Sequence, residues 1–401
     1  MKVEQPKLGR KGTMLLLIIL GAFPPLTMDL YLPALPQMAD VFQTSHSMVN
    51  LTLGTYMIAF AIGMLFWGPL SERTGRKPIL FIALSLYIAA SLLCAMTYSI
   101  EGLIAFRIVQ GLAGGGVTVV GTTIVKDLFD GREREKVMAT IMSLVIIAPM
   151  IAPILGAFLL KIASWHMMFV ALAVFACFAA CLVALYQETL EEKSTGPLLM
   201  AWGRLGVVLK NPRFAYLLLI FSTVPMCLMS FIGIAAYVYV DDFGMTEQAF
   251  GFIFAMNAAF AMLGPQIYLR LSRKFHVQNI ISGCFAVIVS GGILMLWGGW
   301  MTPWIFAPIA AAVSIAVIAV RVPGVNLLLE QQSQDTGSAA ALIQFSVTIM
   351  GAAGIQIVST QSQNLTGSYG ILLIVVGTVC ALLWLAVQKR PFVAEKLTQL
   401  L

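Results

Sequence analysis

The chain has 401 residues, of which 60% are hydrophobic and only 10% charged, whereas a soluble domain carries about a quarter charged residues. This excludes an ordinary soluble protein and leaves lipid as the solvent of most of its surface. The formal charge of +6 would imply an anionic partner in a soluble protein, but here the placement of Lys and Arg matters more than their sum, and nucleic acid is not expected as a partner.

A bilayer core of about 30 Å needs roughly 20 apolar residues per helix, and runs of that length recur along the whole chain. Lys7, Arg10 and Lys11 precede an apolar run as in a signal peptide. The run continues past Pro24 and Pro25 to Leu35, so an uncleaved first helix is expected. Spans are expected near Met14 to Leu35, Met48 to Pro69, Ile79 to Tyr98, Leu103 to Val125, Val137 to Leu160 and Met167 to Tyr186. Six more follow at Tyr216 to Val240, Ala249 to Leu269, Ile280 to Trp300, Trp304 to Asn326, Ala339 to Thr360 and Gly370 to Val387.

With both termini cytoplasmic, 21 of the 24 basic residues fall in cytoplasmic segments, with Lys161 outside and Arg107 and Arg321 within spans. Cytoplasmic loops collect Lys and Arg, so the count predicts that orientation. The longest polar stretch separates the sixth and seventh spans and contains Glu188, Glu191, Glu192, Lys193, Pro197 and Pro212. The expected fold is therefore an all-α integral membrane protein of twelve helices in two pseudo-symmetric six-helix bundles, 1–187 and 214–401, joined by a cytoplasmic linker at 188–213. Gly68-Pro69 and Gly264-Pro265 recur near the ends of the second and eighth spans, as parallel repeats require.

The cysteines Cys94, Cys177, Cys181, Cys227, Cys284 and Cys380 lie in apolar runs without a CxxC pair, and His46, His166 and His276 are far apart. No disulfide, metal site or cofactor is expected. An enzyme would need a cluster of His, Asp or Glu at a membrane face, and the intramembrane polar set is sparse, so enzymatic activity is not expected either.

A charge within a span costs about 2.5 to 3.5 kcal/mol on insertion scales and faces a cavity or a partner. Asp29 and Arg107 are the clear acid and base deep within spans. Each lies six residues, about 9 Å, inside the same boundary. Equal depth permits a pair between helices 1 and 4. Asp29 then reads as a proton-accepting carboxylate that loads and releases as its desolvation or its distance from the guanidinium changes; the alternative is a static ion pair pinning two helices.

Gly68-Pro69-Leu70-Ser71-Glu72-Arg73-Thr74-Gly75-Arg76-Lys77 resembles the loop motif G-x-L-a-D-r-x-G-r-k of the major facilitator superfamily, with Glu72 in place of the more usual Asp. The resemblance implies that Gly68, Glu72, Arg73, Gly75 and Arg76 latch helix 2 from the cytoplasmic side, with Asp127 placed to pair with Arg73 or Arg76. Arg107-Ile108-Val109-Gln110-Gly111 resembles the helix 4 motif R-x-x-q-G, which implies a part for Arg107 in proton coupling, with Gln110 orienting the acid or the base. Ala148 to Gly156 resembles the antiporter motif G-P-x-x-G-G but has Ala152-Pro153 where that motif has Gly-Pro, and makes Pro149, Pro153 and Gly156 hinge candidates. Together with Leu26 to Pro36 these features are similar to the bicyclomycin and chloramphenicol resistance branch of drug:proton antiporters.

A drug pocket is mostly apolar with a few placed polar groups. Tyr31, Tyr56, Gln110, Met142, Met226, Met229, Tyr237, Asn257 and Gln344 are the substrate-binding candidates by helix and depth. The expected function is proton-coupled export of small lipophilic drugs or metabolites across the cell inner membrane by alternating access. The expected partners are a small-molecule substrate, protons and lipid, and the expected state is a monomer. The alternative is a proton symporter or facilitator importing a small metabolite.

Overall fold

A computed structural model of the chain describes residues 5–190, 198–332, 336–360 and 364–398. Among the described residues there is no strand. Hydrocarbon offers no partner to a backbone N–H or C=O, so each spanning segment must satisfy its own as a helix.

The first six helices are α1 Gly9–Val41, α2 His46–Thr74, α3 Arg76–Met96, α4 Ile100–Leu128, α5 Gly131–Ile162 and α6 His166–Leu185. A short helix α7 follows at Leu198–Leu209. Then come α8 Pro212–Asp242, α9 Glu247–Leu271, α10 Val277–Gly299, α11 Pro303–Leu329, α12 Thr336–Ser359, α13 Leu365–Val387 and the short α14 Pro391–Thr398. Eleven of these are long and apolar enough to cross a membrane, and the described apolar part of α5, Ile147–Ile162, supplies a shorter twelfth.

The chain divides into two compact units, the first Met1–Thr44 with Leu51–Ala201 and the second Ser45–Asn50 with Trp202–Leu401. The division falls inside α7, and the first residues of α2 group with the second unit. The segment 188–213 is thus more than a polar connector: it contains α7, whose Val208 is buried while Val207 and Leu209 are exposed.

Helices run past the apolar stretches that mark them. α1 is helical from Gly9 to Asp29 through Pro24 and Pro25, makes a 3-10 turn at Leu32–Ala34 and resumes as Leu35–Val41. α2 continues through Pro69 to Thr74, and α3 starts at Arg76. The expected basic loop therefore contracts to a junction in which Gly75 alone is non-helical, with φ +117°, a region only glycine enters freely.

Glycines set the helix spacing in the first unit. A Cβ on Gly111 would lie 2.4 Å from the Tyr56 carbonyl oxygen, one on Gly115 2.3 Å from that of Phe60, and one on Gly63 2.3 Å from that of Leu112. α2 and α4 thus cross backbone to backbone, the close approach that small residues permit between membrane helices. In the second unit Gly292 and Gly370 do the same for α10 and α13: a Cβ on Gly292 would lie 2.7 Å from the Gly370 carbonyl oxygen, and one on Gly370 3.0 Å from that of Gly292. A Cβ on Gly264 would lie 2.8 Å from the Ile315 carbonyl oxygen of α11, whereas one on Gly68, its counterpart in the sequence repeat, would make only an ordinary contact with Val119 at 3.6 Å.

Candidate functional site

The close crossing of α2 and α4 carries Arg107 into the interior of the first unit, where its side chain is fully buried. Its Nη1 donates to Gln110 Oε1 at 2.8 Å and lies 3.4 Å from the Thr27 carbonyl, while Nε lies 3.4 Å from the Thr52 carbonyl. The guanidinium carbon stands 4.5 Å from the ring centre of Tyr56, 5.1 Å from Tyr31 and 5.7 Å from Phe169. Ring faces attract a desolvated cation by up to about 2 kcal/mol each, so rings and carbonyls do here what a carboxylate does in an ion pair. Nη2 has no hydrogen-bond partner among the described residues.

Gln110 extends the network: its Nε2 donates to Ser91 Oγ at 2.8 Å, and Ser91 Oγ donates to the Tyr87 carbonyl at 2.7 Å. Tyr31 Oη lies 3.2 Å from Thr52 Oγ1, and Thr27 Oγ1 bonds Tyr87 Oη. Tyr31, Tyr56 and Gln110 therefore belong to the packing around Arg107, and all three are buried.

Asp29 is buried at 6% exposure. The pairing expected from equal depth is not formed: among the described residues the ion pairs are Arg10 with Glu133, His46 with Asp241, and Arg76 with Asp127. The reason is rotational phase. Arg107 reaches the carbonyl of Thr27, and the Asp29 side chain, two residues on, lies about 200° round the helix from that of Thr27, whose hydroxyl bonds Tyr87. Immediately after Asp29, α5 comes into contact with α1. A Cβ on Gly156 would stand 2.1 Å from the Leu30 carbonyl oxygen and 3.3 Å from Pro33, while α5 itself runs unbroken through Pro149 and Pro153.

At the α2–α3 junction, Arg76 Nε pairs with Asp127 Oδ2 at 2.9 Å and Nη1 donates to Ser71 Oγ at 2.7 Å. Glu72 and Arg73 are exposed, and among the described residues neither forms an ion pair.

In the second unit Met226 and Asn257 are buried, and Met229 and Gln344 are half-buried. Asn257 Nδ2 has no partner among the described residues, and Gln344 Nε2 lies 3.4 Å from Thr348 Oγ1. Tyr237 stacks on His46 at 4.1 Å and donates to Asn50 Oδ1 at 3.4 Å. The side chain of Met142 lies outside the described residues. Sequence reasoning missed Asn50, Thr27, Thr52 and Ser91; the available signal was a polar residue inside or at the end of an apolar run.

A helical chain with eleven membrane-length apolar helices and a shorter twelfth has the architecture of a multi-pass membrane protein. The sequence matches the Major Facilitator Superfamily over residues 16–355, and the chain belongs to that superfamily. It is 28% identical over 365 residues to the bicyclomycin resistance protein homolog of Haemophilus influenzae, covering 86% of this chain and 89% of that protein. It is 28% identical over 319 residues to the chloramphenicol resistance protein of Pseudomonas aeruginosa, covering 76% and 75%. These relatives match the branch whose motifs the sequence resembles. The solved structure of a bacterial homolog of the human lysosomal transporter Spinster shares the fold, with a TM-score of 0.71 at 14% identity, covering 99% of this chain and 97% of that one.

Proposed function

We propose that this chain is a proton-coupled antiporter that exports small lipophilic drugs or metabolites across the cytoplasmic membrane by alternating access, acting as a monomer with both termini cytoplasmic. The observation that carries the reading is Asp29, an acid buried within α1 and joined to no cation among the described residues. A membrane-embedded carboxylate left out of any structural ion pair is available to take up a proton from one side of the membrane and release it to the other as substrate moves the opposite way. Arg107 then acts as a fixed positive centre held by rings and carbonyls, biasing Asp29 at a distance. The relatives named for bicyclomycin and chloramphenicol resistance support export of drugs, and the gathering of Lys and Arg between alternate spans supports the orientation.

The test is exchange in proteoliposomes with an imposed pH gradient, read by a lumenal pH dye and a lipophilic drug panel. Antiport moves protons against the direction of drug flux, and Asp29→Asn is expected to remove that movement. Proton flux in the same direction as the substrate would establish import by symport instead, and an Asp29→Asn protein that still exchanges at the normal rate would remove Asp29 from the mechanism.

A further inference from the structure

Glu188 lies three residues beyond the end of α6, at the start of the segment that reads from sequence as a polar linker. Its Oε1 accepts the backbone N–H of Arg76 at 3.1 Å, and its Oε2 that of Lys77 at 2.9 Å. Oε1 also accepts the N–H groups of Thr189 at 2.9 Å and Leu190 at 3.1 Å. Arg76 and Lys77 open α3, and the first amides of a helix have no carbonyl of their own to bond. A carboxylate there also meets the positive end of the helix dipole.

Lys77 acts in the opposite sense. Its Nζ donates to the carbonyls of Ala184 at 3.0 Å and Tyr186 at 2.5 Å, among the last carbonyls of α6, where a cation is favoured. The start of α3 and the end of α6 are therefore each capped by a charged side chain carried beside the other. Gly75 fits this arrangement twice over: its φ of +117° suits glycine, and a Cβ there would stand 2.6 Å from Glu188 Oε2. With its backbone held in this way, Arg76 extends to Asp127 and Ser71. The same segment is tied to the N-terminal region by two bonds between Gln187 and Gln5, at 3.0 and 2.8 Å.

We propose that Glu188 is a positioning residue for transport: with Lys77 it clamps the start of α3 to the end of α6, and the clamp fixes the Gly75 junction at which Arg76 meets Asp127. The functional half of this proposal rests on the transport reading above; the clamp itself does not. Glutamine keeps one acceptor oxygen at the same reach, aspartate is one methylene too short, and alanine removes both acceptors, so the order of damage is Gln, Asp, Ala.

The experiment measures hydrogen exchange by mass spectrometry on full-length protein in lipid nanodiscs, over peptides covering residues 72–80, beside substrate-driven proton flux in proteoliposomes. In Glu188→Ala the protection of these peptides is expected to fall about tenfold, the order for a lost helix cap. The maximal flux should fall in the order Gln, Asp, Ala, with the half-saturating substrate concentration within about twofold of wild type, as for loss of a step after binding. If Glu188→Ala does not fold, the Gln and Asp variants carry the comparison. Unchanged exchange in the variants overturns the clamp whatever transport does, and raised exchange with undiminished flux overturns its part in transport. A wild-type protein that moves no substrate, while exchange follows the order Gln, Asp, Ala, upholds the clamp and overturns the antiporter reading alone.

Discussion

Arg107 Nη1 lies 3.4 Å from the backbone carbonyl of Thr27, two residues before Asp29 on the same helix. Two residues are about 200° of helix rotation, so the Asp29 side chain points away from the face of α1 on which the Thr27 side chain meets Tyr87. The two share no hydrogen bond: Arg107 bonds Gln110 and approaches the carbonyls of Thr27 and Thr52.

Combining Asp29→Asn with Arg107→Lys in a double-mutant cycle is accordingly expected to give a coupling in stability below about 0.5 kcal/mol, the scatter for sites without shared partners. Thermal unfolding in detergent measures it, and a coupling above about 1 kcal/mol would indicate a direct pair. Arg107→Lys alone should cost about 1–3 kcal/mol, because an ammonium cannot lie flat between the Tyr31 and Tyr56 rings while bonding Gln110. Asp29→Asn alone should leave the unfolding temperature close to wild type and remove proton coupling.

The glycines divide into two groups by what surrounds them. Gly111→Ala, Gly115→Ala and Gly156→Ala each drive a methyl into a neighbouring carbonyl oxygen at 2.1 to 2.4 Å, and each should destabilise by about 1–3 kcal/mol as helices are forced apart. A Cβ on Gly203 or Gly206 of α7 would meet nothing within 4 Å among the described residues, so alanine there should stabilise by roughly 0.5–1 kcal/mol through helix propensity. Unfolding temperatures of the five variants, compared in one detergent, check both halves.

These contrasts mark what the sequence could and could not reveal. Twelve apolar runs were legible because hydrocarbon thickness sets a length that composition reports directly, and Gly75 stood out within a recognisable motif. Position along a helix was legible too, since it is only a count of residues. Azimuth was not: whether Asp29 or Thr27 faces α4 depends on how α1 is turned, and an apolar helix in lipid has little amphipathic pattern to show it. Pro69 marked the expected end of the second span, yet the helix passes through it to Thr74. Glu188 was hidden for another reason, because its partners are backbone amides, which leave no trace in residue identity.

Asn50 supplies a third expectation. Its Nδ2 donates to the Gly233 carbonyl at 2.9 Å and to Ser359 Oγ at 2.6 Å, all within the second unit, and the side chain is fully buried. Asn50→Ala should cost about 1–3 kcal/mol by leaving these acceptors unpaired. Asn50→Asp should cost more, although it is nearly isosteric, because a carboxylate has no hydrogen to donate and would face a carbonyl oxygen. Unfolding temperatures that rank Asp below Ala confirm that the amide acts as a donor; the reverse order would mean that its volume matters more than its hydrogens.

The α2–α3 junction contains two arginines that the motif treats alike and the structure does not. Arg76 is buried, its side chain 6% exposed against 18% for Asp127, and removing one partner of a buried pair strands the other, at about 3 kcal/mol. Asp127→Ala and Arg76→Ala should each approach that loss, and the double variant should cost much less than their sum. Arg73 is exposed, and Arg10 pairs with Glu133 at 3.1 Å with its side chain 72% exposed. Exposed pairs are worth about 0–1 kcal/mol and weaken with salt, so Arg73→Ala and Arg10→Ala should change stability by less than about 1 kcal/mol. Repeating the unfolding series at low and high salt separates the cases: the Arg76 and Asp127 losses should persist at high salt, since a buried pair is poorly screened, whereas any loss at Arg10 should vanish.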